Sequence, residues 1–103
     1  MDTKYLVVDN NVDNSESYAQ AVDLMKSGEV VAFPTETVYG LGAVATNDEA
    51  VKKIFVAKGR PSDNPLIVHI GTKDELKNYV SDIPPVAQKC IDAFWPGPLT
   101  LIL

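Results

Sequence analysis

The sequence predicts a layered α/β fold, because strand patterns and helical patterns alternate along the chain. Apolar, β-rich runs separated by one or two helical patterns lie at 4–8, 29–33, 66–70 and 99–103. The resulting order, β-α-β-α-β-α-α-β, is typical of a sheet that packs against helices. A chain of 103 residues is expected to form at most one domain, over residues 1–103.

The first helix is predicted over 15–27, because its apolar residues recur at the spacing of one helical face. These residues are Tyr18, Ala21, Val22 and Met25. Ser15 or Ser17 can cap the N-terminus of the helix, and Gly28 lies where a C′ glycine is expected. The helix is therefore expected to lead directly into the strand at 29–33.

The second helix follows the polar segment 34–42, and Asn47 is its expected N-cap. Its predicted buried stripe consists of Val51, Ile54 and Phe55. Lys58 continues this stripe at the end of the helix, where a lysine must extend to solvent or meet an anion.

Two more helices are predicted, a short one over 73–80 and one that begins at Pro84-Pro85. The apolar stripe of the later helix consists of Ala87, Cys90, Ile91 and Phe94. The rigid run Trp95-Pro96-Gly97-Pro98 ends this helix before the last β-rich run.

Composition disfavours several classes of protein. The net charge is −5, and the densest basic group is only Lys52, Lys53, Lys58 and Arg60. Stable nucleic-acid binding is therefore not expected, because it usually needs a clustered basic surface. No run approaches the roughly 20 apolar residues that span a membrane. The N-terminus does not resemble a signal peptide, and a single cysteine suits a reducing compartment, so a cytoplasmic location is expected.

The segment Pro34–Gly42 carries the first candidate site residues. Thr35, Thr37 and Tyr39 alternate along an extended stretch, so their side chains can face one cleft, and Glu36 would face away. Hydroxyl groups donate and accept hydrogen bonds, which suits an amino-acid or carbonate ligand. The glycines at 40 and 42 allow unusual backbone geometry or the close approach of a ligand. The alternative is a simple strand-to-loop turn with incidental threonines.

Lys58 and Arg60 form a second candidate group, because two fixed cations at a helix end suit a phosphorylated ligand. The alternative is that they only complement the helix dipole. Ser62 either contacts a phosphate or caps a turn, and His69 either contacts the substrate or is a hydrogen-bonded structural residue. The sequence contains no zinc-ligand spacing, P-loop or Rossmann fingerprint.

Four motifs in order resemble the N-terminal half of the YrdC-like family, over about residues 20–103: PTETVYGLG, KGRP, NPLIVHI and WPGPLT. That family contains threonylcarbamoyl-AMP synthases, so the resemblance implies the corresponding fold, a twisted mixed β-sheet with flanking helices. It also implies a later Ser-x-Asn motif that would lie beyond Leu103, so we expect the chain to be an N-terminal portion of the domain.

The resemblance implies the formation of threonylcarbamoyl-adenylate and pyrophosphate from L-threonine, bicarbonate and ATP, with Mg²⁺ accompanying the ATP. The product would pass to downstream tRNA-modification proteins. The residues implied to act in catalysis are Lys58 and Arg60. Those implied to bind threonine or its carbamate are Thr35, Thr37, Tyr39 and His69. Those implied to contact ATP are Lys58, Arg60, Ser62 and Asn64.

Three alternatives stay open at this point. The chain could be another YrdC-like domain that handles carbamoyl-adenylate, although such proteins carry further catalytic domains. It could be a non-enzymatic RNA-binding module, against which the acidic composition counts. It could also be a folding unit without an activity of its own.

Overall fold

The computed structural model describes residues 2–59 and 66–103, and the chain divides into two units, Met1–Pro65 and Leu66–Leu103. The first unit contains helix α1 (Ser15–Lys26), strands β1 (Val31–Pro34) and β2 (Tyr39–Gly42), and helix α2 (Asp48–Lys58). The second unit contains a 3-10 helix (Lys73–Asn78) and helix α3 (Pro85–Phe94).

Strands β1 and β2 form an antiparallel hairpin, in which Val31 pairs with Gly42 and Pro34 pairs with Tyr39. The prediction of a strand after α1 is confirmed, whereas β2 was not predicted. The segment after Pro34 is therefore not one extended stretch, because the chain turns back at 35–38 and pairs with itself.

The ends of α1 are set by local hydrogen bonds. The N–H of Glu29 donates to the Leu24 carbonyl at 3.0 Å, and the N–H of Gly28 donates to the Met25 carbonyl at 3.0 Å. This is a Schellman motif, and the φ of +89° at Gly28 confirms the predicted C′ glycine. The predicted serine cap is wrong, because Asp13 accepts the Ser15 N–H at 3.0 Å instead.

The hydroxyl of Ser15 also donates to Asp13 at 2.5 Å, and these two bonds lower the pKa of the Asp13 carboxyl, the side-chain bond contributing most. The predicted apolar face of α1 is not buried in this structure. Tyr18 and Val22 remain 57% and 46% exposed, because α1 packs mainly against the short strand β1.

Helix α2 supplies the core of the first unit. Asn47 is confirmed as its N-cap, because the Asn47 side chain accepts the Ala50 N–H at 3.1 Å. Ala50, Ile54 and Phe55 are buried, whereas Val51 is half-buried. The prediction that Lys58 continues the buried stripe is wrong, because the last turn of the helix leaves this side chain exposed.

The core of the second unit consists of Leu76, Ala87 and Ile91. Helix α3 begins at Pro85, as the sequence predicts, but Phe94 is 63% exposed and does not belong to the buried stripe. The predicted helix at 73–80 is a 3-10 helix that ends at Asn78.

The strands predicted at 4–8, 66–70 and 99–103 are not formed, so the sheet among the described residues is the two-stranded antiparallel hairpin. A strand needs a hydrogen-bonded neighbour, and local β propensity cannot replace it. The described part of the chain still combines helices with a sheet, as the α/β class requires. None of its helices has the length and apolar composition needed to cross a bilayer.

Candidate functional site

The loop between β1 and β2 is held by one side chain. The hydroxyl of Thr35 donates to the carbonyl of Val38, and its oxygen accepts the N–H of Val38 at 3.2 Å and that of Thr37 at 3.4 Å. The N–H of Thr35 donates to the same Val38 carbonyl at 3.2 Å. Both the side chain and the backbone N–H of Thr35 therefore hold the loop closed.

The three predicted hydroxyl residues lie in one hairpin, but a turn brings them together and not the alternation of a strand. Thr35 precedes the turn, Thr37 lies in it, and Tyr39 begins β2 opposite Pro34. All three are exposed, with Tyr39 at 76%, and Glu36 is exposed at the same tip. This end of the hairpin presents the hydroxyls of Thr37 and Tyr39 and the carboxylate of Glu36 to solvent, whereas the Thr35 hydroxyl is bonded inside the loop.

Lys58 is the last residue of α2, and Gly59 follows it in the left-handed conformation, with a φ of 67°. The position of the helix is set within the first unit, because α2 packs against β2. Lys53 adds a tie, since its Nζ donates to the Gly28 carbonyl at 3.0 Å and lies 3.3 Å from Glu29 Oε1. The hairpin and the Lys58 cation thus belong to one packed unit.

His69 lies in the second unit, where it is exposed and its Nδ1 lies 3.4 Å from the Ile67 carbonyl oxygen. Arg60, Ser62 and Asn64 lie outside the described residues. Thr35, Thr37, Tyr39 and Lys58 therefore lie in the first unit, and His69 lies in the second.

The family model of Sua5, YciO and YrdC proteins, described as "Telomere recombination", matches residues 23–103. The chain belongs to this family. It is also similar to the threonylcarbamoyl-AMP synthase of Bacillus subtilis (strain 168), with 57% identity over 97 residues that cover 94% of this chain and 28% of that protein. The enzyme of the same name from Pyrococcus abyssi (strain GE5 / Orsay) is 55% identical over 83 residues, covering 81% of this chain and 24% of the enzyme.

A solved structure, P. abyssi Sua5 complexed with L-threonine, superposes with a TM-score of 0.76 at 50% identity. The match covers 80% of this chain and 24% of that one. The α/β fold expected of a Sua5/YciO/YrdC member is thereby confirmed. The chain spans about a quarter of the length of these two synthases and of this solved structure.

The structural roles of two residues, Phe33 and Lys53, were not predicted from the sequence. Phe33 explains both hairpin glycines, because a Cβ at Gly42 would lie 2.8 Å from its Cε1 and a Cβ at Gly40 would lie 3.1 Å from its Cε2. The glycines make room for an aromatic ring in this structure, and neither has a positive φ. The sequence predicts Lys53 only as part of a basic group. No local pattern indicates its partners Gly28 and Glu29, which lie 25 and 24 residues earlier.

A side-chain hydrogen bond also spans the segment 95–99, which follows α3. The indole Nε1 of Trp95 donates to the Leu99 carbonyl at 2.9 Å, and Trp95 is half-buried.

An open groove of about 440 Å³ lies in the second unit, lined by residues 79–82, 84, 102 and 103, and none of the described candidate residues lines it. The described residues include no group of three or more His, Cys, Asp or Glu side chains that could hold a metal ion.

Proposed function

We propose that this chain is the threonine-binding and first ATP-binding part of a threonylcarbamoyl-AMP synthase. The observation that carries the proposal is the 57% identity to the B. subtilis enzyme of that name, across 94% of this chain. The P. abyssi relative solved with L-threonine supports the amino-acid substrate. The product would serve tRNA modification, and we place the protein in the cytoplasm on the strength of its single, free Cys90.

In the proposed reaction, carbamate formation comes first. The amine of L-threonine condenses with bicarbonate and releases water, which leaves a carbamate carboxylate on the nitrogen. One carboxylate oxygen then attacks the α-phosphorus of ATP, the bond to the β-phosphate bridging oxygen breaks, and pyrophosphate leaves. Such a step gains most from aligned reactants and from stabilised phosphate charge.

In this proposal the exposed hydroxyls of Thr37 and Tyr39 orient the threonine, and the hairpin fixes their spacing. Lys58 supplies a positive charge to the phosphates or to the carbamate, because its ammonium group is exposed at the end of a helix anchored to the same unit. His69 adds a substrate contact, and the roles of Arg60, Ser62 and Asn64 follow from the family motif.

Mg²⁺ would enter with ATP and neutralise part of the triphosphate charge. Phosphate oxygens and water would supply most of its coordination, because Mg²⁺ dehydrates reluctantly and is usually bound with substrate phosphates. This arrangement fits a metal that arrives with its substrate.

The test compares two lysines of the same helix in the full-length protein. Lys58→Ala should lower threonine-dependent pyrophosphate release by about tenfold or more, because it removes a charge that stabilises the transition state. Lys52→Ala is the matched control, since Lys52 is also exposed on α2 and, among the described residues, pairs only with Glu49 at 3.4 Å. Equal rates for Lys58→Ala and the wild type would refute the proposed role of Lys58, and no release by the wild type would refute the function.

A further inference from the structure

The hairpin loop 35–38 has two tip residues, Glu36 and Thr37, between the bonded residues Thr35 and Val38. Counted between the strands the loop has four residues, and such loops are most often built around a type I turn, whereas two-residue loops favour type I′ or II′ turns with a positive φ at one or both tip residues. Among the described residues no non-glycine residue has a positive φ, so this loop uses neither turn. The backbone bond from the Thr35 N–H to the Val38 carbonyl is accompanied by a second closure.

The side chain of Thr35 provides that closure. In an ordinary two-residue hairpin a backbone carbonyl accepts the N–H across the loop, but here the Thr35 hydroxyl oxygen accepts the Val38 N–H at 3.2 Å. The same oxygen accepts the Thr37 N–H at 3.4 Å and donates its proton to the Val38 carbonyl. A hydroxyl has one proton and two lone pairs, so its capacity is used up inside the loop.

The Thr37 hydroxyl differs from that of Thr35 in its hydrogen bonding. Its hydroxyl is exposed and makes no hydrogen bond to any residue that the structure describes, although its N–H is held by Thr35. We propose that Thr35 is a positioning residue: its hydroxyl holds the loop and thereby sets the position of Thr37, to which the proposed function already assigns the substrate contact. This inference rests on the proposed function and changes the predicted role of Thr35 from substrate contact to loop closure.

The experiment uses three variants, Thr35→Val, Thr35→Ser and Thr37→Val. Valine keeps the β-branched shape of threonine and removes only the hydroxyl, whereas serine keeps the hydroxyl. Amide hydrogen exchange of Val38 is measured by NMR, and the KM values for L-threonine and ATP are measured in the full-length protein by pyrophosphate release.

Thr35→Val should speed the exchange of the Val38 amide by about three- to tenfold, the worth of one net hydrogen bond. It should also raise the KM for L-threonine and leave the KM for ATP unchanged, and Thr35→Ser should restore both quantities. Thr37→Val should raise the KM for L-threonine without changing the exchange of Val38. A general loss of folded protein would instead lower the maximal rate and leave both KM values unchanged.

The inference is overturned if Thr35→Val raises the KM for L-threonine but leaves Val38 exchange unchanged, because the hydroxyl would then contact the substrate directly. Equal increases in the KM for ATP and for L-threonine would also overturn it. If the wild type showed no threonine-dependent turnover, the proposed function would fail, and the exchange data would still decide whether Thr35 holds the loop.

Discussion

At the scale of single residues, Gly40 and Gly42 look alike in the sequence but differ in how closely the Phe33 ring packs against them. Gly42→Ala would place a Cβ 2.8 Å from the Phe33 ring, and Gly40→Ala would place one at 3.1 Å from it. Replacing glycine by alanine at an unstrained position stabilises a protein by about 0.4–1 kcal/mol through the unfolded chain. Overpacking costs about 1–3 kcal/mol, so Gly42→Ala should destabilise the protein, whereas Gly40→Ala should be nearly neutral.

Urea unfolding of the two variants measures this difference. The Phe33→Leu exchange provides the control, because a smaller, flexible side chain removes the ring that the new methyl group would meet. In a double-mutant cycle, Gly42→Ala should cost less free energy of unfolding in the Phe33→Leu background than in the wild type. Equal costs in both backgrounds would show that the ring is not the reason for glycine at this position.

At the scale of elements, the position of α2 depends on Lys53, which ties the helix to the turn between α1 and β1. Lys53→Met keeps the aliphatic part of the side chain and removes the hydrogen bond to Gly28 and the ion pair with Glu29. Lys53 and Glu29 are 47% and 54% exposed, so the ion pair contributes little, and the bond to the carbonyl contributes most of the effect. We expect a loss of about 0.5–1.5 kcal/mol in the free energy of unfolding.

Lys52→Met is the matched control, because within residues 2–59 and 66–103 Lys52 makes only the exposed pair with Glu49 one helical turn away. It should change the free energy of unfolding by less than about 0.5 kcal/mol. Thermal melts at low and high salt check both variants. If the two lysine variants lost the same stability, Lys53 would not be an anchor of α2.

The helices and the strand after α1 were largely predictable from the sequence, and the other strands were not. The Asn47 cap, the Gly28 C′ position and the start of α3 depend on hydrogen bonds and φ values within a few residues, which a local pattern encodes. A strand forms only where a second segment pairs with it, which local β propensity does not encode, so the β-rich run 66–70 is predicted as a strand and β2 is not.

The same distinction holds for the candidate site. Its residue types were found by motif, but their arrangement depends on the turn at 35–38, which replaces the extended stretch expected through Thr35, Thr37 and Tyr39. The role of Thr35 could have been predicted from the sequence, since threonine hydroxyls can bond to the backbone of a following turn. The exposure of Lys58 could not be read from spacing, because it depends on where the packing surface of α2 ends.

At the scale of the whole molecule, charge distribution separates an enzyme that makes a small adenylate from a protein that holds RNA. The net charge is −5. Two of the few clustered cations, Lys52 and Lys53, already lie 3.4 and 3.3 Å from the carboxylates of Glu49 and Glu29. An RNA backbone would have to compete with these carboxylates, and it would also meet the repulsion of the acidic surface.

We therefore expect no saturable binding of tRNA in fluorescence anisotropy at micromolar protein and 150 mM salt, where even non-specific nucleic-acid binders show Kd values of about 10⁻⁴ to 10⁻⁶ M. Any residual signal should depend weakly on salt, because few phosphates would be neutralised. A basic protein of similar size, titrated with the same tRNA, controls for the activity of the probe. Submicromolar binding with a steep salt slope would contradict this prediction, because such a slope requires a cationic surface that contacts many phosphates at once.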